Sequence, residues 1–158
     1  MEKTIVGVFS TRDSADLAAH EIRDRGLRID DISILAKADD GEAEEAEDTV
    51  NDNISDGITA GGVLGGLAGL LLGAGTFMLP GLGMIAAAGP LAGVLSGAVT
   101  GGVVGGLVDL GIPEADSERY ENDVKSGKYV LTMKQSEDKS SEVASILRRY
   151  GATEVNVY

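Results

Sequence analysis

Residues 57–108 read GITAGGVLGGLAGLLLGAGTFMLPGLGMIAAAGPLAGVLSGAVTGGVVGGLV and contain no Asp, Glu, Lys or Arg. This stretch of 52 residues, here called the charge-free segment, holds 17 of the 23 glycines. All 39 charged residues, 26 acidic and 13 basic, lie among the other 106 of the 158 positions. Flexible glycine linkers are rich in serine and other polar residues, whereas this segment is rich in Leu and Val. The composition therefore indicates an ordered apolar element inserted into a polar chain.

Glycines recur at every fourth residue in two rows within the charge-free segment. Residues four apart lie on one face of a helix, and a face without side chains lets two backbones approach closely. Because each glycine costs a helix about 0.8–1 kcal/mol relative to alanine, close helix contact has to offset that cost. With Pro80 and Pro90 between the rows, the pattern predicts a glycine-zipper helical hairpin with a bent tip, in which 58–79 and 91–108 form the arms and 84–88 a short helix. The candidate self-association residues are Gly57, Gly61, Gly65, Gly69 and Gly73 in the first row and Gly89, Gly93, Gly97, Gly101 and Gly105 in the second.

The N-terminal end, residues 1–38, has the pattern of a β-α-β unit. Residues 4–9 are a short run rich in β-branched residues, which is typical of a buried strand. Residues 13–25 carry an apolar stripe at helical spacing, and Gly26 is a suitable stop for that helix. Residues 31–36 then alternate between apolar and polar side chains as a second strand does.

The C-terminal end, residues 109–158, predicts the order α-β-α-β. Pro113 suits a helix start, since proline is favoured at the first helical position and acidic residues follow it in the first turn. Gly127 and Gly151 are suitable stops for two helices. The predicted elements are a helix from Pro113 to about Ser126, a strand at 129–133, a helix at 137–150 and a strand at 154–158.

Each polar end offers only two strands, which is too few for independent stability. Together they give the order β-α-β, insertion, α-β-α-β, which matches an α+β, split ferredoxin-like sandwich whose middle hairpin is opened by the insertion. The alternative is a pair of unrelated appendages. The predicted organisation is two halves of one domain at 1–38 and 109–158, an acidic linker or helix at 39–56, and the helical hairpin at 57–108. On this interpretation the hairpin can be deleted without unfolding the domain.

Several local motifs carry a family resemblance. They are Val6-Gly7-Val8-Phe9, a first helix with Ala15, Ala18, Glu21 and Ile22, and, after the glycine-rich region, Leu110-Gly111-Ile112-Pro113-Glu114, Tyr120-Glu121 and Lys125-Ser126-Gly127. In these motifs the chain resembles bacterial general stress proteins, the family of the heat-induced stress protein YflT and its low-temperature-induced relatives. The resemblance implies an association with stress. It implies no enzymatic activity.

Charge and composition narrow the function classes. The formal net charge of −13 argues against nucleic acid as a partner and against docking onto anionic lipid headgroups, since both attract basic segments. The chain has no cysteine and a single histidine, His20, so thiolate metal sites and cysteine nucleophiles are excluded. The acidic run at 39–56 does not have the spacing of an EF-hand loop. We expect no enzyme, no catalytic residue, no metal and no cofactor.

The partner that the pattern predicts is a second copy of the chain, with a lipid bilayer as a further candidate. The first hypothesis is a membrane-associated homo-oligomer whose polar domain lies in the cytoplasm, since no signal peptide is evident at the N-terminus. The second is a structural protein that polymerises into a lipid-free filament, tube or shell with the hairpins buried between subunits. A weaker alternative is a regulatory ligand-binding module, which only fold analogy supports.

Overall fold

The computed structural model describes residues 1–27, 31–37, 75–79, 83–88 and 102–158. In these ranges the chain is α+β, with four helices and one antiparallel six-stranded sheet. The acidic run at 39–56 lies outside the described residues. The strands are β1 (Glu2–Phe9), β2 (Ile32–Lys37), β3 (Gly75–Leu79), β4 (Gly83–Ala88), β5 (Tyr129–Ser136) and β6 (Glu154–Val157). The helices are α1 (Arg12–Asp24), α2 (Gly102–Asp109), α3 (Glu114–Lys125) and α4 (Glu137–Arg149).

The strand order across the sheet is β3-β4-β2-β5-β1-β6. Strand β1 pairs along its whole length with β5, from Glu2 opposite Ser136 to Phe9 opposite Tyr129. On its other side β1 pairs with β6, and β2 pairs with β5. The two polar ends of the chain therefore form one sheet.

Helices α1 and α4 cover one face of this sheet. The Thr11 side chain accepts a hydrogen bond from the Ser14 backbone N–H at 3.3 Å and so caps the start of α1. Gly7 of β1 has no side chain, and a Cβ placed there would lie 2.9 Å from Leu147 Cδ1 of α4. A side chain at this position would therefore require the Leu147 side chain to shift, and glycine lets Leu147 pack directly on β1. The core on this face includes Ile5, Phe9, Ala18, Ile22, Ile32, Ile34, Leu131, Met133, Val143, Ile146 and Leu147.

Helices α2 and α3 cover the opposite face, so the chain forms three layers. This second core combines alternate residues of β1 and residues of β4 with α2 and α3. Four of its buried residues, two on β4 and two on α2, come from the charge-free segment. The buried residues here are Val6, Val8, Leu35, Ile85, Ala87, Val103, Leu107, Ile112, Tyr120, Val124 and Val130.

Part of the predicted helical hairpin is wrong. Residues 75–79 and 83–88 are the strands β3 and β4, where the end of a helical arm and a short helix were expected. A short apolar run bounded by glycine and proline fits a buried strand as well as a helix, and periodicity alone cannot separate the two. Here β4 pairs with β2 from Ile34 opposite Ala88 to Lys37 opposite Ile85, so the hairpin satisfies backbone groups that β2 would otherwise leave unpaired.

Of the second predicted arm, 91–108, the described residues are 102–108, and they belong to the helix α2; the remaining parts of both arms, 58–74 and 91–101, lie outside the described residues. Since α2 and β4 bury side chains in the second core, the charge-free segment is not wholly external to the domain. Deleting 57–108 would remove both elements and uncover Val6, Val8 and Tyr120. We now expect that deletion to unfold the protein, contrary to the expectation from the sequence.

The packing of α2 can be tested with two adjacent residues. Leu107 is fully buried and Val108 is 43% exposed. Replacing Leu107 by Ala should lower the free energy of unfolding by about 2–5 kcal/mol, because it removes buried methyl groups and leaves a cavity. Val108→Ala should change it by less than about 0.5 kcal/mol. Urea unfolding of the two variants measures the difference, and equal effects would show that α2 does not pack on the sheet.

Candidate functional site

The β3–β4 hairpin fixes where the two glycine rows meet the folded domain. Gly75 pairs with Ala87 and Leu79 pairs with Gly83, so β3 begins at the end of the hairpin where β4 finishes. The first row ends at Gly73, two residues before β3. The second row begins at Gly89, directly after β4. Because residues directly opposite in an antiparallel pair lie about 4.5–5.5 Å apart between Cα atoms, both rows connect to the sheet at one place.

The second glycine row also meets the folded domain at its C-terminal end. Its last glycine, Gly105, lies on α2, whose Val103 and Leu107 lie in the same buried cluster as Ile85 and Ala87 of β4. The 13 residues at 89–101 therefore link two elements that belong to one core. This placement restricts how far that part of the charge-free segment can extend from the domain.

Of the ten candidate self-association glycines, Gly105 is the one that the structure describes. It is half-buried on α2, between the fully buried Val103 and Leu107. This helix buries Val103, Gly106 and Leu107 within its own chain, whereas Gly105 is only half-buried. The other candidates lie outside the described residues: Gly57, Gly61, Gly65, Gly69, Gly73, Gly89, Gly93, Gly97 and Gly101.

A polar cluster that sequence reasoning missed joins α3 to the end of the chain. The Tyr120 and Tyr158 hydroxyls lie 2.8 Å apart, and Asn156 Nδ2 donates to the Tyr120 hydroxyl at 2.9 Å. Asn156 Nδ2 also donates to Glu154 Oε1 at 2.6 Å. The Tyr120 side chain is fully buried, so these bonds satisfy a hydroxyl that would otherwise be costly to bury.

Arg119 extends this cluster toward solvent. Its Nη2 lies 2.6 Å from Glu154 Oε1 and 3.3 Å from Asp116 Oδ1. Its guanidinium carbon lies 5.4 Å from the centre of the Tyr120 ring, within cation–π range. The contacts between α3 and the last residues, from Arg119 to Glu154 and from Tyr120 to Asn156 and Tyr158, join positions 35 to 38 apart, so no local spacing in the sequence could have predicted them.

Beside this cluster is an open depression of about 380 Å³. The Thr4 hydroxyl at its wall donates to the Leu110 carbonyl oxygen at 2.6 Å, which ties the loop after α2 to β1. The residues that line it are Glu2, Thr4, Leu110, Gly111, Lys134 and Tyr158. They lie on β1, on β5, in the loop after α2 and directly after β6, so the depression is formed where these parts of the described chain meet.

Within the ranges that the structure describes, His, Asp and Glu side chains nowhere form a group of three or more suited to a metal ion. His20 lies on α1, where its Nδ1 is 3.0 Å from the Asp16 carbonyl oxygen and 3.4 Å from Asp16 Oδ1. Each of the four described helices is too short or too polar to cross a membrane.

Burial raises the pKa of Tyr158 far above its ordinary value of 10.0, and hydrogen bonds with Tyr120 and Asp116 raise it further. The folded state thus keeps this hydroxyl protonated where the unfolded chain ionises it. The stabilisation is complete below pH 10 and is lost progressively as the pH rises above that value.

The variant Tyr158→Phe separates the contribution of the Tyr158 hydroxyl to the pH dependence of stability from that of the other ionisable groups. At neutral pH the variant should be less stable by about 0.5–1.5 kcal/mol, since it lacks the hydroxyl hydrogen bonds. Above pH 10 the wild type should lose stability more steeply with pH, so the difference between the two proteins should narrow. Denaturant unfolding at a series of pH values measures it. A difference that stays constant with pH would contradict the assigned pKa shift.

Comparison of the chain with known protein families, with curated protein sequences and with solved structures gave no match.

Proposed function

We propose that this is a non-enzymatic protein that self-associates through the glycine rows of its charge-free segment. The observation that carries the proposal is the pairing of Gly75 with Ala87. It joins both rows to neighbouring positions of one sheet, so that both rows of one copy start where they can meet the same second copy. The resemblance to bacterial general stress proteins adds a stress association as the physiological setting.

The domain that carries the rows is interpreted as a split ferredoxin-like fold. Support comes from the order β2-β5-β1-β6 within the sheet and from the two units β1-α1-β2 and β5-α4-β6, which place their helices on one face. The chain adds β3 and β4 beside β2 and covers the second face with α2 and α3. A ligand-binding module would use that second face, so its coverage argues against the regulatory alternative.

Charge favours the charge-free segment as the association surface. The net charge of −13 makes two copies repel each other wherever their polar parts approach. Residues 57–108 are the one long stretch where two copies can meet without opposing carboxylates. Contact there gains apolar burial while the charged surfaces stay in solvent.

The geometry favours a lipid-free assembly over a membrane-spanning hairpin. Strand β3 takes 75–79 from the first predicted arm, and α2 takes 102–108 from the second. This leaves 58–74 and 89–101, which as complete helices would reach about 26 Å and 20 Å at 1.5 Å per residue. Both lengths are below the bilayer hydrocarbon thickness of about 30 Å. The membrane-associated oligomer is therefore the second candidate.

The glycine contact is tested by the double substitution Gly65→Leu with Gly69→Leu. Leucine improves helix propensity and apolarity, so only the close approach of backbones is lost. Overpacking a tight contact costs about 1–3 kcal/mol per site, and every 1.4 kcal/mol is tenfold in an association constant. We expect association to weaken at least tenfold in sedimentation velocity, while urea unfolding of the domain is unchanged.

The matched control is Leu71→Ile with Leu72→Ile, two residues of the same row's bulky face. It should change the association constant several-fold less than the glycine substitutions. Unaltered assembly in the glycine variant would exclude the glycine rows as contacts.

The assembly type is tested by fractionating cells without detergent and examining each fraction by electron microscopy. Large ordered particles free of lipid are expected. Recovery in membranes, with dispersal to small oligomers only in detergent, would favour the membrane-associated candidate instead.

A further inference from the structure

Strand β3 forms one edge of the sheet. Among the described residues it pairs only with β4, which in turn pairs with β2. An edge strand presents a row of backbone N–H and C=O groups to a possible neighbour, and added strands use such rows. Most edge strands are protected against such pairing.

In its own sequence and register, strand β3 lacks the features that protect an edge strand. Its sequence, Gly-Thr-Phe-Met-Leu, contains no charged residue and no proline. Its register with β4 runs one residue to one, from Gly75 opposite Ala87 to Leu79 opposite Gly83, so it has no bulge. Charges, prolines and bulges are the devices by which edge strands avoid pairing.

The opposite edge, β6, is different. Its first residue, Glu154, is charged and is bound by Arg119. A strand that carries a charged pair is a poor template for further pairing. The edge strand β6 thus carries a charged pair and the edge strand β3 carries no charge, as expected if only β3 pairs with a neighbouring strand.

The neighbour that fits β3 is a second copy of the same strand. Repulsion between two chains of net charge −13 disfavours contacts outside the charge-free segment, whereas two β3 strands bring no charges together. Antiparallel pairing is self-complementary under a twofold axis. We infer that β3 pairs antiparallel with β3 of a second copy about Phe77, so that Thr76 of each copy lies opposite Met78 of the other.

This inference rests on the proposed self-association and adds a contact that is separate from the glycine rows. It joins two sheets into one continuous sheet of twelve described strands. Directly opposed residues in such a pair have Cβ atoms about 4.5–5.5 Å apart, which is near the range that a disulfide bridges.

The chain contains no cysteine, so single introduced cysteines report the contact without background. The experiment mixes full-length Thr76→Cys and Met78→Cys proteins under mild oxidation and separates the products by mass. Position 76 is chosen because it lies opposite Ala86 of β4, which is half-buried, whereas Phe77 lies opposite the buried Ile85. A substitution at 76 should therefore disturb the core less than one at 77. We expect several-fold more mixed disulfide dimer than either variant forms alone.

The matched control is Val157→Cys on β6, which is 42% exposed at the other edge. It should form less disulfide dimer than the 76/78 mixture. If the mixture forms no more disulfide dimer than the single variants while sedimentation still shows association, the β3 contact is wrong and the proposed function stands. If sedimentation shows that the protein is a monomer, the β3 contact and the proposed function are both wrong.

A second pair of variants covers the case in which cysteine disturbs the edge. Thr76→Lys should weaken association at least several-fold, and adding Met78→Glu to it should restore much of the loss, because the carboxylate then lies opposite the ammonium group of the other copy. Thr76→Val should associate as the wild type does. Equal association of Thr76→Lys and Thr76→Val would also overturn the inference.

Discussion

The pairing of β1 with β5 is the constraint on which the fold depends. All eight residues of β1 pair with residues of β5, although the paired Phe9 and Tyr129 are separated by 120 positions in the chain. The entropy of closing a loop grows only logarithmically with its length, by about 0.6 kcal/mol for each doubling, so the chain tolerates a long insertion between these strands. Strand β1 also supplies residues to both cores, Ile5 and Phe9 on one face and Val6 and Val8 on the other.

Because β1 faces two cores, the domain needs two covering layers, and the polar ends supply α1 and α4 for one face but only α3 for the other. Helix α3 comes from the C-terminal end, but β4 and α2 come from the charge-free segment. Their residues Ile85, Ala87, Val103 and Leu107 complete the second core. The apolar composition of this segment therefore has a structural cause inside the domain, in addition to the proposed association.

The elements with clear periodicity were predictable from the sequence. The strands expected at 4–9 and 129–133 and the helices expected at 13–25 and 137–150 are present as β1, β5, α1 and α4 with small differences at their ends. Strands β3 and β4 were not predictable, because short apolar runs of three and five residues after Gly75–Thr76 and Gly83 fit either periodicity, and the pairing of β4 with β2 and β3 selects the strand. The Tyr120–Tyr158–Asn156 cluster depends on long-range contacts that no local pattern reveals.

The placement of the β3–β4 hairpin also couples the two proposed contacts. Gly73, the last residue of the first glycine row, lies two positions before the edge strand, so any second copy bound at one contact is held within a few residues of the other. A first contact of this kind raises the effective concentration for the second. Two individually weak contacts can then give a stable assembly even between chains that each carry a net charge of −13, because the charged surfaces need not approach.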